Sequence, residues 1–469
     1  MKSTPRKRSA SLHVSPGAPR DLEDELRAVV GPAHVLVDGD LRAPYETDWT
    51  RRFTGSARCV VRPASTAEVA AVVRACAAAE APIVIQGGNT GLVGGGVPAG
   101  GEVLVSLARL TRMEPVDAVE AQVTVDAGVT LEKLRAHARA AGLDFGVDLA
   151  ARSAATVGGM TATNAGGIRV LRHGSMRAQV AGLEAVLPDG TVLSRLTGLA
   201  KDNTGYDLTQ LLTGSEGTLA IVTRARLRLV PLLPARAVAL VAVDGTDAAL
   251  DLLAAARARL PALAAAEIFY PDGLDLVRSY AKLPAPFGEP AGAYVVLECA
   301  GRTDPTDDVL ELLSTCEAVL DATVASDRAG LDRLWSYREA HTEAISAAGV
   351  PTKLDVCVPL GELSALVAEL PGVVTAVAAA ARPILFGHLN EGNLHVNVLG
   401  AGERAEEVTD AVLRLVAAHR GSISSEHGVG RAKAPWLPLS RTPEEIAAMG
   451  RIKAAFDPAG LLSPGVLLP

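Results

Sequence analysis

The run Ile85-Gln86-Gly87-Gly88-Asn89-Thr90-Gly91-Leu92-Val93-Gly94-Gly95-Gly96 constrains this chain most, because its glycines follow directly on an apolar strand, Pro82 to Ile85. Glycine adopts positive φ without steric cost, so consecutive amide N–H groups can converge on phosphate oxygens in a concave nest. The run reads as a diphosphate cradle, with a flexible surface loop as the competing reading. A dinucleotide fingerprint or a P-loop runs into a helix N-terminus, whereas Val97-Pro98 leads here to a second strand, Val103 to Leu107, and no Gly-Lys-Ser/Thr appears. A plain nicotinamide or ATP site is disfavoured.

The 469 residues and 49% hydrophobic content predict two or three domains around a well-filled core. A formal charge of -8 opposes a nucleic-acid partner, and no basic stripe reverses it. The longest apolar runs, such as Val373 to Ala381, are short and alanine-rich, so no transmembrane segment is expected, while peripheral membrane contact stays open. Five cysteines without CxxC spacing suit reduced, core-packed thiols and a cytoplasmic location. Residues 1–22 are basic and proline-bearing with no apolar run, which predicts a disordered leader in preference to a transit peptide.

From Val60 the pattern is strand, helix, strand. Ser65-Thr66-Ala67-Glu68 predicts a capping box, Val69, Val72 and Val73 a helical apolar stripe, and Thr130 the cap of a second helix ending at Gly142. Three further loops follow in this α+β half: Val157 to Gly167, Lys201 to Leu208 and Gly214 to Thr223. Each alone is turn chemistry. Four in one domain suggest a long ligand touched from several sides.

After Pro231 and Pro234 a second domain begins. In Gly387-His388-Leu389-Asn390-Glu391-Gly392-Asn393-Leu394-His395-Val396-Asn397-Val398, the residues Leu394, Val396 and Val398 alternate with His395 and Asn397. A strand there buries its apolar set and presents the imidazole and amide on the other face. His388 rejoins that face if the chain bends, and Gly392 can supply the bend. Two histidines beside a carboxylate make a divalent metal site, with Glu426 of Ser424-Ser425-Glu426-His427-Gly428 as the best third ligand. Two structural histidines bonded to backbone are the alternative. A third constellation runs Trp335 to Thr342, followed by Lys353; i,i+4 spacing places Arg338 and Thr342 on one helical face, where guanidinium and hydroxyl can grip one carboxylate. A solvated helix cation competes with that reading. His341 and His173 are expected to be structural or surface residues.

With these motifs the sequence resembles the FAD domain shared by vanillyl-alcohol oxidase and p-cresol methylhydroxylase, and within it the FAD-linked D-2-hydroxy-acid dehydrogenase family. The likeness rests on Gln-Gly-Gly-Asn-Thr-Gly, Gly-Gly-x-x-x-Thr-Asn-Ala-Gly-Gly, Lys-Asp-Asn-Thr-Gly-Tyr-Asp-Leu and Gly-Ser-Glu-Gly-Thr-Leu. It implies an α+β fold: a p-cresol methylhydroxylase-type FAD-binding domain over 55–234, preceded by a segment, 23–54, that packs on it. An FAD-linked oxidase C-terminal domain with an antiparallel sheet would occupy 235–469, bind substrate and metal, and return its tail to the flavin. The resemblance implies that Gly87, Gly88, Asn89, Thr90 and Gly91 hold the FAD diphosphate, and that Gly158, Gly159, Thr163, Asn164, Gly166, Gly167, Gly217 and Ile221 line the rest. No attachment histidine or cysteine stands in the cradle, so non-covalent FAD is expected.

The same resemblance places metal, with Zn2+ expected, on His388, His395 and Glu426, and substrate on Arg338, Thr342, Lys353 and Asn397. His427 becomes the base. The chain departs from the family at Asn390-Glu391, where Gly-Asp is usual, at Ser463, where Asn is usual, and at Ala200, where Arg is common. The implied activity is oxidation of a D-2-hydroxy acid, 2-hydroxyglutarate or malate first, with D-lactate or glycolate dehydrogenase or oxidase activity as the alternative. No haem, iron–sulfur or nicotinamide motif is present, so an external acceptor such as an electron-transfer flavoprotein or quinone is expected. A homodimer is compatible with all of this. From other classes, a non-catalytic flavin subunit of an oxidase complex and a flavin sensor stand as rivals.

Overall fold

The computed structural model describes residues 21–468. The leader expected over residues 1–22 lies outside them up to residue 20. Its last two residues correct that expectation: Asp21 precedes and Leu22 begins the helix Leu22–Val30, which buries Leu22, Leu26 and Val30. The period of that burial fixes the segment on the sheet-and-helix layer that follows.

The first half holds two four-stranded sheets, besides a short pairing of Leu143–Asp144 with Val230–Pro231. In one, the strand Ile83–Gln86 and the strand Cys59–Val61 flank Val103–Ser106 in parallel, with Val35–Leu36 added antiparallel. The crossover helix Thr66–Ala78 is capped by Ser65, which accepts from Glu68 N–H, and it buries Val69, Val72 and Val73. The other sheet is antiparallel, in the order Gln122–Asp126, Ile221–Arg228, Val180–Val186, Val192–Arg195. The helix Leu131–Ala140, capped by Thr130, covers it.

A seven-stranded antiparallel sheet forms the second half, in the order Asp321–Ala325, Ala235–Val243, Ala293–Gly301, Leu263–Phe269, Arg382–His388, Asn393–Leu399, Thr352–Cys357. Alternate residues serve its two faces. Ala237, Ala239, Val241, Leu394, Val396 and Val398 meet the helices Thr246–Arg259, Leu360–Val377 and Ala405–Ala418. Val238, Leu240, Phe269, Ile384 and Phe386 meet Leu331, Leu334 and Trp335 of the helix Arg328–Glu339. Leu360–Val377 is, by length and its mean hydropathy of 1.5, apolar enough to cross a bilayer, which the apolar-run reading did not anticipate. Its Leu363, Leu366, Leu370 and Val374 are instead committed to the sheet. The C-terminal segment returns to the first half, where Ile83 N–H donates to Leu461 O at 2.8 Å and Ser463 N–H to Ile83 O at 2.7 Å, beside the glycine run.

Candidate active site

His395 and Asn397 lie on the face of their strand opposite Leu394, Val396 and Val398, as the alternation dictates. Gly392, at φ +64°, turns the chain so that His388, at the end of the neighbouring strand, rejoins this face. The two imidazoles stand 5.2 Å apart at 81°. Across the next strand Asp355 pairs with His395 and Lys353 with Asn397, and on the far side Glu267 pairs with His388.

Each histidine is held through its Nδ1. That of His388 lies 2.7 Å from Glu267 Oε1, and that of His395 lies 3.4 Å from Asp355 Oδ1. A carboxylate at Nδ1 leaves Nε2 as the free donor, the usual support of a metal-bound imidazole. Glu426 Oε2 lies 3.4 Å from His388 Nε2. Burial lowers the His388 pKa, but Glu267 and Glu426 outweigh it and hold the ring well above its usual value. A site that so favours a proton also favours a divalent cation.

Ligand atoms of Asp355, His395, Glu426 and His427 lie within 4.8 Å of one another. That tightest grouping substitutes Asp355 and His427 for His388. The hydrogen bonds weigh against Asp355 as a ligand. Asp355 Oδ2 accepts the backbone N–H of Ser425 at 3.2 Å, Glu426 at 2.7 Å and His427 at 3.2 Å, while Oδ1 accepts from Asn393 at 2.8 Å. A carboxylate already saturated in this way orients the 424–430 loop and is a poor ligand. His388, His395 and Glu426 form the alternative donor set, and His427 stands within reach of His395 and Glu426 in either case.

His427 stacks on His395 at 6.0 Å and 13°, with Nδ1 3.7 Å from Asp355 Oδ2 and its side chain 31% exposed. Burial lowers its pKa against the raising influence of Asp355 and Glu426, which keeps the ring neutral near pH 7. Arg338 sits 4.5 Å above the Phe386 ring and 2.7 Å from Glu267 Oε2. The expected single helical face is corrected here. The helix Arg328–Glu339 stops at Ala340 and another, His341–Ala348, begins, so Arg338 and Thr342 stand on either side of a break. His341, at the start of the second helix, is fully buried between Phe269 and Phe386, its Nδ1 lies 3.1 Å from Arg338 O, and burial pushes its pKa down to about 3. It is structural.

The glycine run forms an irregular loop after the strand Ile83–Gln86. Asn89 adopts φ +52° and its amide donates to Thr47 O at 2.9 Å. A Cβ on Gly88 would approach Ala154 O to 1.8 Å and one on Gly87 would approach Thr156 Oγ1 to 2.5 Å, whereas Gly91 has open space. Gly87, Gly88, Asn89 and Thr90 are only partly buried, so their backbone stays reachable. The second expected loop contains a helix, Val157–Thr163, capped by Thr156, in which Gly158 packs so closely on Ala127 that a Cβ there would stand 2.7 Å from its methyl. Thr163 Oγ1 donates to Gly159 O at 3.0 Å, and Asn164 Oδ1 accepts from Ser175 Oγ at 2.9 Å and Arg177 N–H at 2.8 Å. Gly217 sits at φ +72° against Ile85, and the Ile221 side chain lies in the core.

These loops meet the second domain at the histidine cluster. Gly167 N–H donates to Glu426 Oε1 at 2.5 Å, and a Cβ on Gly166 would stand 2.7 Å from the same oxygen. Glu216 accepts from Val429 N–H at 2.8 Å and Gly430 N–H at 2.7 Å. A cavity of about 190 Å³ opens between Asn164, Gly166 and Gly167 on one side and His388 and Glu426 on the other. Glu267, Asp355 and Glu216 escaped the sequence reading. Glu267 is a lone acid in the apolar strand Leu263–Phe269, and Asp355 shares the alternation that exposes Lys353, so both carried a signal.

Residues 232–467 match the family described as FAD linked oxidases, C-terminal domain, and residues 57–195 match an FAD binding domain. D-2-hydroxyglutarate dehydrogenase of Xanthomonas citri pv. viticola is 40% identical over 435 residues, 90% of this chain and 92% of its own. The mitochondrial D-2-hydroxyglutarate dehydrogenase of Bos taurus is 38% identical over 459 residues, 95% of this chain and 84% of its own. The solved structure of p-cresol methylhydroxylase with substrate bound superposes with a TM-score of 0.74 over 95% of each chain at 16% identity, a likeness of fold.

Proposed function

The chain belongs to the FAD-linked oxidases, and from that premise we propose that it oxidises a D-2-hydroxy acid to the 2-oxo acid, with D-2-hydroxyglutarate or D-malate as substrate. It is an FAD-dependent oxidoreductase. The observation that carries the substrate reading is the polar sheet face, where Arg338, Lys353 and Asn397 flank the paired histidines.

FAD fits the first domain: open space over Gly91 and the partly exposed backbone of Gly87, Gly88, Asn89 and Thr90 suit a diphosphate, and Gly166 and Gly167 border the cavity. A divalent ion, Zn2+ by the donor types, fits two imidazoles and one carboxylate with positions left for substrate. When bound, such an ion would act as a Lewis acid toward the substrate hydroxyl, and FAD would serve as hydride acceptor.

The residues supply the rest. Oxidation removes the hydroxyl proton and a hydride from C2, and leaves a C=O bond. His427, neutral and partly exposed, takes the proton at its imidazole nitrogen remote from Asp355. Arg338 holds the substrate in register through a carboxylate, and Lys353 and Asn397, opposite one another on adjoining strands, meet the second one. Electrons then leave to an external acceptor. Lactate or glycolate oxidation is the alternative, favoured if Arg338 and Lys353 share a single carboxylate. A panel of D- and L-2-hydroxy acids, assayed with an artificial electron acceptor with and without oxygen, tests the reading; no turnover with any D-2-hydroxy acid would reject it.

A further inference from the structure

Trp49 is half exposed, at 53%, yet the turn that carries it is firmly built. Asp48, 3% exposed, accepts the N–H groups of Arg52 at 3.0 Å and Phe53 at 3.1 Å as well as the Thr50 hydroxyl. The turn is fastened to the cofactor domain, because Thr47 O accepts from Asn89 Nδ2 at 2.9 Å and the Phe53 ring lies where a Cβ on Gly94 would reach it at 2.9 Å. From this support the indole extends toward the second domain, and its ring centre lies 5.4 Å from Lys353 Nζ. Lys353 stands on the site face of its strand, opposite Asn397 and two residues from Asp355. Among the described residues no carboxylate forms an ion pair with its ammonium; Glu343 acts on it from farther away, Arg52 of the Trp49 turn opposes it, and the indole is the group in direct contact.

A lysine ammonium on a four-carbon stem loses considerable freedom when it binds an anion, and a partner that holds it in place beforehand removes part of that cost. Indole is the strongest aromatic partner for a cation, and it leaves the ammonium N–H groups free to donate. We propose that Trp49 is a positioning and specificity-determining residue, which holds Lys353 toward the second carboxylate of a dicarboxylic 2-hydroxy acid. The inference rests on the assignment of Lys353 to that carboxylate. It gives the N-terminal segment a role in substrate choice, because the turn that bears Trp49 is bolted to the cradle loop through Asn89.

The test is steady-state kinetics of the flavin-loaded enzyme on D-2-hydroxyglutarate and D-lactate, with Trp49→Ala, Trp49→Phe, Lys353→Met and the Trp49→Ala/Lys353→Met double variant. Trp49→Ala should raise KM for D-2-hydroxyglutarate by about 3- to 30-fold, the range of a cation–π contact, with a smaller change in kcat. Trp49→Phe should recover most of the loss, lactate should be affected much less, and the double variant should resemble Lys353→Met alone. Equal losses on both substrates, a loss confined to kcat, or full additivity in the double variant would overturn the inference. A discriminating Lys353→Met beside a silent Trp49→Ala would overturn it alone; a Lys353→Met enzyme indifferent to the second carboxylate would overturn the parent assignment with it.

Discussion

Glu267 accepts a hydrogen bond from Nδ1 of His388 at 2.7 Å from a position only 1% exposed. Its other oxygen lies 2.7 Å from the Arg338 guanidinium. One buried carboxylate therefore orients both a metal-type histidine and a substrate-type arginine. Glu267→Gln keeps the shape and removes the charge. It should weaken divalent-metal affinity by about 10- to 100-fold, the usual effect of losing an outer partner of a ligating histidine, and also raise the substrate KM. Chelator competition reads the first effect and steady-state kinetics the second; a variant with unaltered metal affinity would remove Glu267 from this role.

His427 is the proposed base, although its ligand atom lies within 4.8 Å of those of His395 and Glu426, so the test must separate a base from a ligand. His427→Ala should retain flavin and metal while kcat falls by about 100-fold or more. Rapid mixing with substrate, followed at the flavin absorbance, gives the rate of the first half-reaction. A loss of metal in parallel with activity would show His427 to be a ligand.

Chelation should abolish turnover and leave the flavin spectrum in place, since the donors His388, His395 and Glu426 stand outside the diphosphate cradle. Restoration of divalent ion should return activity. Acid precipitation should release FAD into the supernatant, because no histidine or cysteine stands among Gly87, Gly88, Asn89, Thr90 and Gly91. Flavin retained in the pellet would contradict non-covalent binding.

A buried ion network, joined to the cluster through the backbone pairing of Asp148 with Gly167, contributes to the acid limit. Arg135 lies 3.1 Å from Asp144 and 2.7 Å from Asp148, all three side chains nearly inaccessible. Burial raises both carboxyl pKa values, but the arginines outweigh it and hold Asp144 and Asp148 below the usual carboxylate range. Depressed carboxylates stabilise the fold above the unfolded pKa, about 3.9, and that contribution disappears as pH falls below it toward the folded values. Arg135→Gln should thus move the acid-unfolding midpoint to higher pH, and at pH 7 should cost less than the roughly 3–5 kcal/mol of a buried charge left unpaired, because Asp144 keeps Arg139 and Arg169 and Asp148 keeps Arg152 and Arg169. Thermal melts across pH 2.5 to 7 check both.

Much of this arrangement was legible in the sequence because it depends on short-range rules. The strand period placed His395 and Asn397 opposite Val396, Gly392 marked the bend that returns His388, and Ser65 and Thr130 announced their helices. What stayed hidden depends on register between distant strands. Nothing in the order of residues shows that Glu267 pairs with His388, 121 positions later, or that Asp355 gathers three N–H groups of the 425–427 loop. The helix expected to run unbroken from Arg338 to Thr342 is interrupted at Ala340, beside His341, whose packing between two aromatic rings from distant strands the local sequence does not show.

The central claim is tested most directly by anaerobic mixing of the flavin-loaded protein with D-2-hydroxyglutarate, with its L-enantiomer and D-lactate in parallel, while the flavin absorbance is followed. Prompt bleaching by D-2-hydroxyglutarate, much slower bleaching by D-lactate and none by the L-enantiomer is the predicted result. Bleaching by D-lactate in preference would show that Arg338 and Lys353 serve one carboxylate, and an inert flavin with every 2-hydroxy acid would contradict the assignment of the site.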